Sequence, residues 1–181
     1  MKIVAFAGSN SETSINKKFV TYAAGFFKNH DVEILDLNDY EMPIYSSQRE
    51  KANGVPQLAI DFAEKVDGAD LLLISLADHN GSYTAAFKNV FDWISRVPGR
   101  KAFGGKEIFA LATSPGAGAG KAVMNAFTTR APYSGGQIIE SFTLPSFNET
   151  FSEEYGIVDE NLKNDFIEKV EKVKCKFETL A

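Results

Sequence analysis

The sequence predicts an α/β fold built on a doubly wound, five-stranded parallel sheet with helices on both faces. Five apolar runs of strand length recur along the chain, and helical periodicities lie between them. This alternation of strands and helices predicts a parallel sheet that is covered on both sides. The length of 181 residues suits a single domain, residues 1–181, and the strand count favours the order 2-1-3-4-5.

The predicted strands are continuous apolar runs, which are typical of strands buried on both faces. They cover residues 3–7, 32–35, 71–76, 108–112 and 138–142. The predicted helices carry apolar residues at i, i+3, i+4 and i+7, which indicates one buried face. These stripes cover residues 15–26, 58–66, 87–94 and 162–177.

The composition excludes several classes of protein. Lys and Arg number 19 against 24 Asp and Glu, and the net charge of −5 argues against nucleic acid or an anionic membrane as partner. The apolar run at 3–7 is too short for a signal peptide, and no run has the ~18 apolar residues of a membrane helix. With no export signal and one cysteine, Cys175, we expect a cytoplasmic protein.

In a doubly wound sheet the ligand lies at the carboxyl ends of the strands, beside the point where the winding reverses. Three loops are therefore candidates: residues 8–14, 77–84 and 113–120. We refer to them as the first, middle and third loops.

The first loop is rich in hydroxyl and amide side chains around a helix start. Unpaired amides at a helix N-terminus bind anions, so a phosphate group is the expected ligand. The alternative is that Ser14 or Thr13 merely caps the helix. The loop has neither the Gly-Lys-Ser/Thr of a Walker motif nor the three glycines of a Rossmann fingerprint.

The third loop overlaps the stretch SPGAGAGK, residues 114–121, which is poor in side chains. Gly116 and Gly118 fit the first two Rossmann glycines, but Lys121 stands in place of the third, and Ala122 breaks a Walker pattern. Such a loop lets backbone approach a planar ligand closely. The alternative is a permissive connection with no ligand.

The first loop resembles a motif of the NAD(P)H-dependent FMN reductase family, flavodoxin-like proteins that include quinone, azo-dye and chromate reductases. The family motif reads Gly-Ser-x-Arg-x-x-Ser-x-Asn. Gly8, Ser9, Ser14 and Asn16 match it, and Ser11 stands in place of the arginine. The order of segments agrees with the family from Met1 to the last helix.

The middle loop and the helix after it resemble the second family motif, Pro-Glu-Tyr-Asn-x-Ser followed by Leu-Lys-Asn-Ala-x-Asp-Trp. Ala77, Asp78 and His79 depart from Pro-Glu-Tyr. The matching residues are Asn80, Ser82, Lys88, Asn89, Asp92 and Trp93. The turn at residues 114–116 is similar to the third loop of the family.

The resemblance implies a flavodoxin-like fold that binds FMN. By analogy the phosphate is surrounded by Ser9, Ser11, Ser14, Ile15 and Asn16. The ring is bordered by backbone groups of Ala77, Asp78, His79 and Asn80 and approached from its other edge by Ser114, Pro115, Gly116 and Gly118. No metal and no catalytic side chain are implied, because flavin carries the redox chemistry.

The resemblance further implies hydride transfer from NADPH or NADH to FMN, then reduction of free flavin, a quinone or another small-molecule electron acceptor. It also implies a homodimer or homotetramer. Two alternatives stay open: a flavodoxin-like electron carrier without nicotinamide-dependent turnover, and a flavin- or phosphate-binding protein without redox turnover.

Four features of the sequence give further expectations, and they are Ser11, His79, Trp93 and the segment 40–45. Ser11 predicts weaker FMN binding unless Lys17 or Lys18 supplies the missing charge. His79 either lies against flavin or nicotinamide or is an exposed loop residue. Trp93, off the apolar stripe of its helix, lies at a subunit contact or under the loop 97–106. The aromatic segment 40–45 walls a substrate pocket across a dimer or packs within the subunit.

Overall fold

The computed structural model describes residues 1–178; the end of the predicted domain, residues 179–181, lies outside the described part. A five-stranded parallel sheet has the order β2-β1-β3-β4-β5. The strands are β1 (Lys2–Gly8), β2 (Asp31–Leu35), β3 (Leu71–Leu76), β4 (Glu107–Thr113) and β5 (Gln137–Leu144). The predicted fold class and strand order are confirmed.

The main helices cover the sheet on both faces. They are α1 (Ile15–Ala24), α2 (Ser47–Asn53), α3 (Gln57–Asp67), α4 (Ala85–Ile94), α5 (Lys121–Arg130), α6 (Phe147–Thr150) and α7 (Glu160–Glu178). Short 3-10 turns occupy Gly25–Phe27, Leu37–Tyr40 and Ala131–Ser134, and β6 (Phe151–Ser152) pairs with β7 (Gly156–Ile157) in a small hairpin. No helix within residues 1–178 has the length and apolar character needed to span a bilayer.

The two faces of the sheet bury separate cores. Alternate residues of β1 point to opposite faces, so Val4 and Phe6 pack with α3, α4 and α5, and Ile3 and Ala5 pack with α1 and α7. The predicted helical stripes supply these cores. The helix α2 has no such stripe because it buries none of its residues, and the sequence patterns did not predict it.

The strand register places the three candidate loops side by side. Gly8 lies opposite Leu76, and Leu76 lies opposite Ala112. The carboxyl ends of β1, β3 and β4 therefore meet at one edge of the sheet, and the first, middle and third loops leave from it together.

Trp93 corrects one sequence expectation. The side chain is 1% exposed within the single chain, so no second subunit is needed to cover it. The indole Nε1 donates to the carbonyl oxygen of Pro43 at 2.7 Å, and Tyr45 packs edge-on at 5.0 Å, so the segment after β2 covers this side chain. The segment after β2 therefore packs within the subunit, against the outer side of α4.

Candidate functional site

Two buried side chains, Thr84 and Asn16, crosslink the elements that meet at this sheet edge. Thr84 caps the start of α4 and donates from Oγ1 to the carbonyl oxygen of Gly8 at 2.8 Å. This bond fastens the end of the middle loop to the beginning of the first. The folded chain itself therefore links these two loops.

Asn16 is the second of these crosslinks. Its Oδ1 accepts from the Ser75 hydroxyl at 2.8 Å and from the Thr113 amide at 3.1 Å, and its Nδ2 donates to the Thr113 carbonyl at 3.2 Å. The side chain is 3% exposed and ties α1 to β3 and β4. It was expected to surround a phosphate, but only its backbone amide is left for that part.

The first turn of α1 offers unpaired amides. Ser14 is the N-cap, as the alternative interpretation of this loop predicted, and its Oγ accepts from the Lys17 amide at 3.2 Å. Within the described residues, the amides of Ile15 and Asn16 have no acceptor. Ser9 and Ser11 stand before this turn, where the Ser9 hydroxyl accepts from the Ser11 amide at 3.2 Å. Capping and anion binding are therefore compatible here.

The two lysines of α1 are already paired with carboxylates. Lys17 contacts Asp36, which follows β2, and Lys18 contacts Glu153 in the β6–β7 hairpin. The hydrogen bond from Lys17 is the main reason that the pKa of Asp36 is lowered. Neither lysine is thus an uncommitted substitute for the arginine that Ser11 replaces.

The middle loop is a tight hairpin. His79 and Ser82 exchange backbone hydrogen bonds of 3.0 and 3.2 Å, and the two residues between them, Asn80 and Gly81, have φ of 56° and 80°. Positive φ at both central positions is the pattern of a type I′ turn, which Asn-Gly favours. His79 and Asn80 are exposed at the tip, whereas Ala77 is buried at the end of β3.

Asp78 connects this hairpin to α5. Its Oδ1 accepts from the Gly81 amide at 2.7 Å, and its Oδ2 accepts from the Val123 amide, in the first turn of α5, at 3.3 Å. The helix begins after Gly120, which offers no side chain as a cap. One carboxylate therefore closes the hairpin and caps the helix.

The carbonyl groups of the third loop are hydrogen-bonded within the fold, whereas several of its amides are unpaired in the described part of the chain. The carbonyl oxygens of Ser114 and Gly116 accept from the amides of Phe147 and Ser146, each at 3.0 Å. Among the described residues, no acceptor is found for the amides of residues 116–118. A Cβ added at Gly116 or Gly118 would meet nothing within 4 Å, and neither glycine has a positive φ. Nothing in the folded chain itself requires these two glycines, and Pro115 beside them is exposed.

This arrangement coincides with a family match. The family model described as NADPH-dependent FMN reductase matches residues 1–149, which is most of the chain and includes all three loops. The chain belongs to the NADPH-dependent FMN reductase family. The resemblance seen in the loop motifs is confirmed.

Curated relatives of this FMN reductase family member share moderate identity with it. It is 30% identical over 118 residues to 2-hydroxy-1,4-benzoquinone reductase of a Burkholderia species, covering 65% of this chain and 62% of the relative. It is 26% identical over 125 residues to NADPH:quinone oxidoreductase of Arabidopsis thaliana, covering 67% of this chain and 62% of the relative. The matches thus span less than two thirds of these relatives.

Solved structures of oxidoreductases share the fold of this family member. The NAD(P)H:(acceptor) oxidoreductase FerB from Paracoccus denitrificans superposes with a TM-score of 0.72 at 20% identity, covering 94% of this chain and 97% of FerB. An azoreductase from Bacillus anthracis gives a TM-score of 0.63 at 18% identity, covering 95% and 97%. At these identities the likeness shows the fold alone.

Beside the first loop, a cleft of about 180 Å³ opens between the segment after β2 and the first half of α4. Asn10 borders it from the first loop, and Met42 and Ile44 form the opposite wall. The sequence did not predict that Asn89, also at this cleft, holds that wall by binding its backbone. The matching family motif drew attention to Asn89, but its partners are 44 to 47 residues away and no local pattern names them.

Proposed function

We propose that this chain is an NAD(P)H-dependent FMN reductase, which takes hydride from NADPH or NADH and passes electrons to free flavin, a quinone or another small acceptor. The observation that carries the proposal is the meeting of three loops at one sheet edge, with unpaired amides in the third loop and in the turn of α1 that follows the first loop. Family membership supports the same activity, and the names of the relatives support a quinone-type acceptor.

The residues present fit FMN. A phosphate suits the unpaired amides of Ile15 and Asn16 and the hydroxyls of Ser9 and Ser11, because a helix N-terminus favours an anion. A flat ring suits the open side of Gly116 and Gly118, where no side chain intervenes. These two features lie in the first and third loops, and the middle loop leaves the sheet between them.

The role of the protein is to bind the flavin and to orient it. When bound, FMN supplies the capacity to accept hydride and to release electrons to a second substrate. The serine-rich first loop would hold the phosphate, and residues 77–80 would border the ring. The amides of residues 116–118 would donate hydrogen bonds at the other edge. The side chain of His79 is exposed beside this place and is free to meet a substrate.

A two-stage experiment tests this function. The purified chain is loaded with FMN, freed of unbound flavin and mixed anaerobically with NADPH or NADH while flavin absorbance is followed. Rapid bleaching, followed by recovery on adding a quinone, supports a reductase and ranks the donors. Retained flavin that neither donor bleaches would instead support an electron carrier. Flavin lost in the wash would agree with the weak binding expected from Ser11, and the absence of any binding in an FMN titration would contradict both.

The proposal includes a homodimer or homotetramer in the cytoplasm. Ile44 is 76% exposed on the segment that packs on α4, and we choose it as the position at which to test a subunit contact. The cytoplasm is where NADPH and NADH are available. Light scattering would test the assembly: an Ile44→Lys variant is expected to be smaller than the wild type, and an unchanged mass would remove this contact.

A further inference from the structure

We propose that Asp78 is a positioning residue for the flavin, because its carboxylate fixes the spacing between the two loops that border the ring. The inference rests on the proposed function, since it takes the middle and third loops as the ring site. It gives a side chain a role where the resemblance implied only backbone groups.

Apart from the bond to Asp78, the hairpin and the third loop are hydrogen-bonded to different parts of the chain. The middle loop is fastened to the first loop through Thr84 and Gly8, and the third loop is fastened to residues 146–147. Among the hydrogen bonds of residues 1–178, the contact from Val123 to Asp78 is the one that joins the hairpin to the segment 113–123. A change at Asp78 is therefore expected to alter the gap between the loops.

The surfaces on either side of this bond lie close together. A Cβ placed at Gly81 would lie 3.9 Å from the Cβ of Ala122, so the hairpin tip lies next to the first turn of α5. Contact without the carboxylate would be a weak apolar one. The carboxylate adds direction, since one oxygen points to the hairpin and the other to the helix.

The same contact controls charge near the ring. A carboxylate beside a flavin opposes the gain of negative charge on reduction. The amide of Gly81 in the hairpin, the amide of Val123 in α5 and the positive end of the α5 dipole offset the charge of Asp78. The placement thus lets an acidic residue define the site at small electrostatic cost.

Asp78→Asn breaks the bridge and keeps the hairpin. The asparagine oxygen can still accept from the Gly81 amide in the same turn, but its amino group would face the Val123 amide, donor against donor. We expect the Kd for FMN to rise about tenfold, which is the order of affinity lost with one charged hydrogen bond. Riboflavin, which lacks the phosphate, should lose the same factor because the ring half of the site is affected.

Two variants complete the series. Asp78→Glu keeps a carboxylate that can reach α5, and we expect it to restore FMN binding to within about threefold of the wild type, a small difference on the scale of one hydrogen bond. Asp159→Asn is the matched control, since Asp159 accepts from the Leu162 amide at 2.9 Å and caps α7 outside the three loops. It should leave both flavin affinities unchanged.

The readouts are the Kd values for FMN and riboflavin, the visible absorption bands of the bound flavin and the melting temperature of the flavin-free protein. Equal losses for both ligands, with shifted bands in Asp78→Asn and rescue by glutamate, support the positioning role. Wild-type affinities and bands in Asp78→Asn would overturn it, and so would a loss confined to FMN.

A further variant distinguishes a folding defect from the loss of flavin positioning. If Asp78→Asn melts far below Asp159→Asn, then Asp78→Ser, which can keep the turn but cannot reach Val123, replaces it and is judged by the same readouts. If the wild type binds neither flavin, the proposed function itself fails. A wild type that binds flavin while the variants behave normally defeats only the role of Asp78.

Discussion

The indole Nε1 of Trp93 donates a 2.7 Å hydrogen bond to the carbonyl oxygen of Pro43. One helical turn earlier, Asn89 accepts from the Tyr45 amide and donates to the Met42 carbonyl, both at 2.9 Å. The spacing of four residues puts both side chains on one face of α4. The segment 41–46 has no regular secondary structure, so these side chains satisfy backbone groups that no ladder pairs.

We therefore expect Asn89→Ala to lower the free energy of unfolding by about 1–3 kcal/mol, the cost of leaving partly buried polar groups unpaired. Urea denaturation of the flavin-free protein measures it. Lys88→Ala is the control, because Lys88 forms an exposed pair with Asp92, which is worth roughly 0.3–0.5 kcal/mol. Equal destabilisation in the two variants would contradict the role of Asn89 as a clamp.

The glycines of the third loop separate folding from binding. A methyl group at Gly118 meets open space and an ordinary backbone, so Gly118→Ala should leave stability unchanged or raise it by about 0.4–1 kcal/mol. The same methyl would intrude where the ring approaches, and the Kd for FMN should rise. Thermal melting and FMN titration measure the two effects.

Two other glycines serve as controls for that experiment. Gly25→Ala, which also meets nothing within 4 Å and lies outside the three loops, should leave FMN affinity unchanged. Gly120→Ala should be destabilising, since Gly120 has a φ of 70° and its Cβ would lie 3.0 Å from that of Ala112. Wild-type FMN affinity in Gly118→Ala would mean that the third loop does not approach the ring.

The sequence predicted the sheet, its order and the loops because these follow from apolar periodicity and from general rules of α/β topology. It could not predict where the loop side chains point. Asn16 matched a phosphate motif, yet its side-chain amide is hydrogen-bonded to Ser75 and Thr113, which are 59 and 97 residues away. Trp93 was judged by its helical stripe, but the residues that cover it come from a segment with no periodic pattern. Such contacts depend on tertiary packing.

Ser11 leaves the first loop without a positive charge of its own. Because Lys17 and Lys18 have carboxylate partners, an arginine at position 11 should strengthen FMN binding about 10- to 100-fold, as one or two charged hydrogen bonds would. Riboflavin affinity should change little, since the gain comes from the phosphate. Titration of both ligands into Ser11→Arg measures this.

The control for the positive charge added in Ser11→Arg is the variant Asn29→Arg, which adds an arginine at an exposed turn outside the three loops. A gain in FMN affinity that appears in both variants would be a general effect of net charge. A gain absent from Ser11→Arg would show that position 11 does not face the phosphate.

The Lys17–Asp36 pair makes a prediction about acid stability. The pKa of Asp36 is lowered, mainly by the hydrogen bond from Lys17 and then by that from the Asn38 amide. A carboxyl group with a lowered folded-state pKa stabilises the fold above its unfolded pKa of about 3.9, and the stabilisation is lost as pH falls through the folded value. Asp36→Asn keeps an oxygen to cap Asn38 but removes the charge. The wild type should therefore be more stable than Asp36→Asn at pH 7, and the difference in melting temperature should shrink as pH falls below about 4. A difference that stays constant across this range would mean that the charge of Asp36 contributes nothing and that only the shape of its side chain matters.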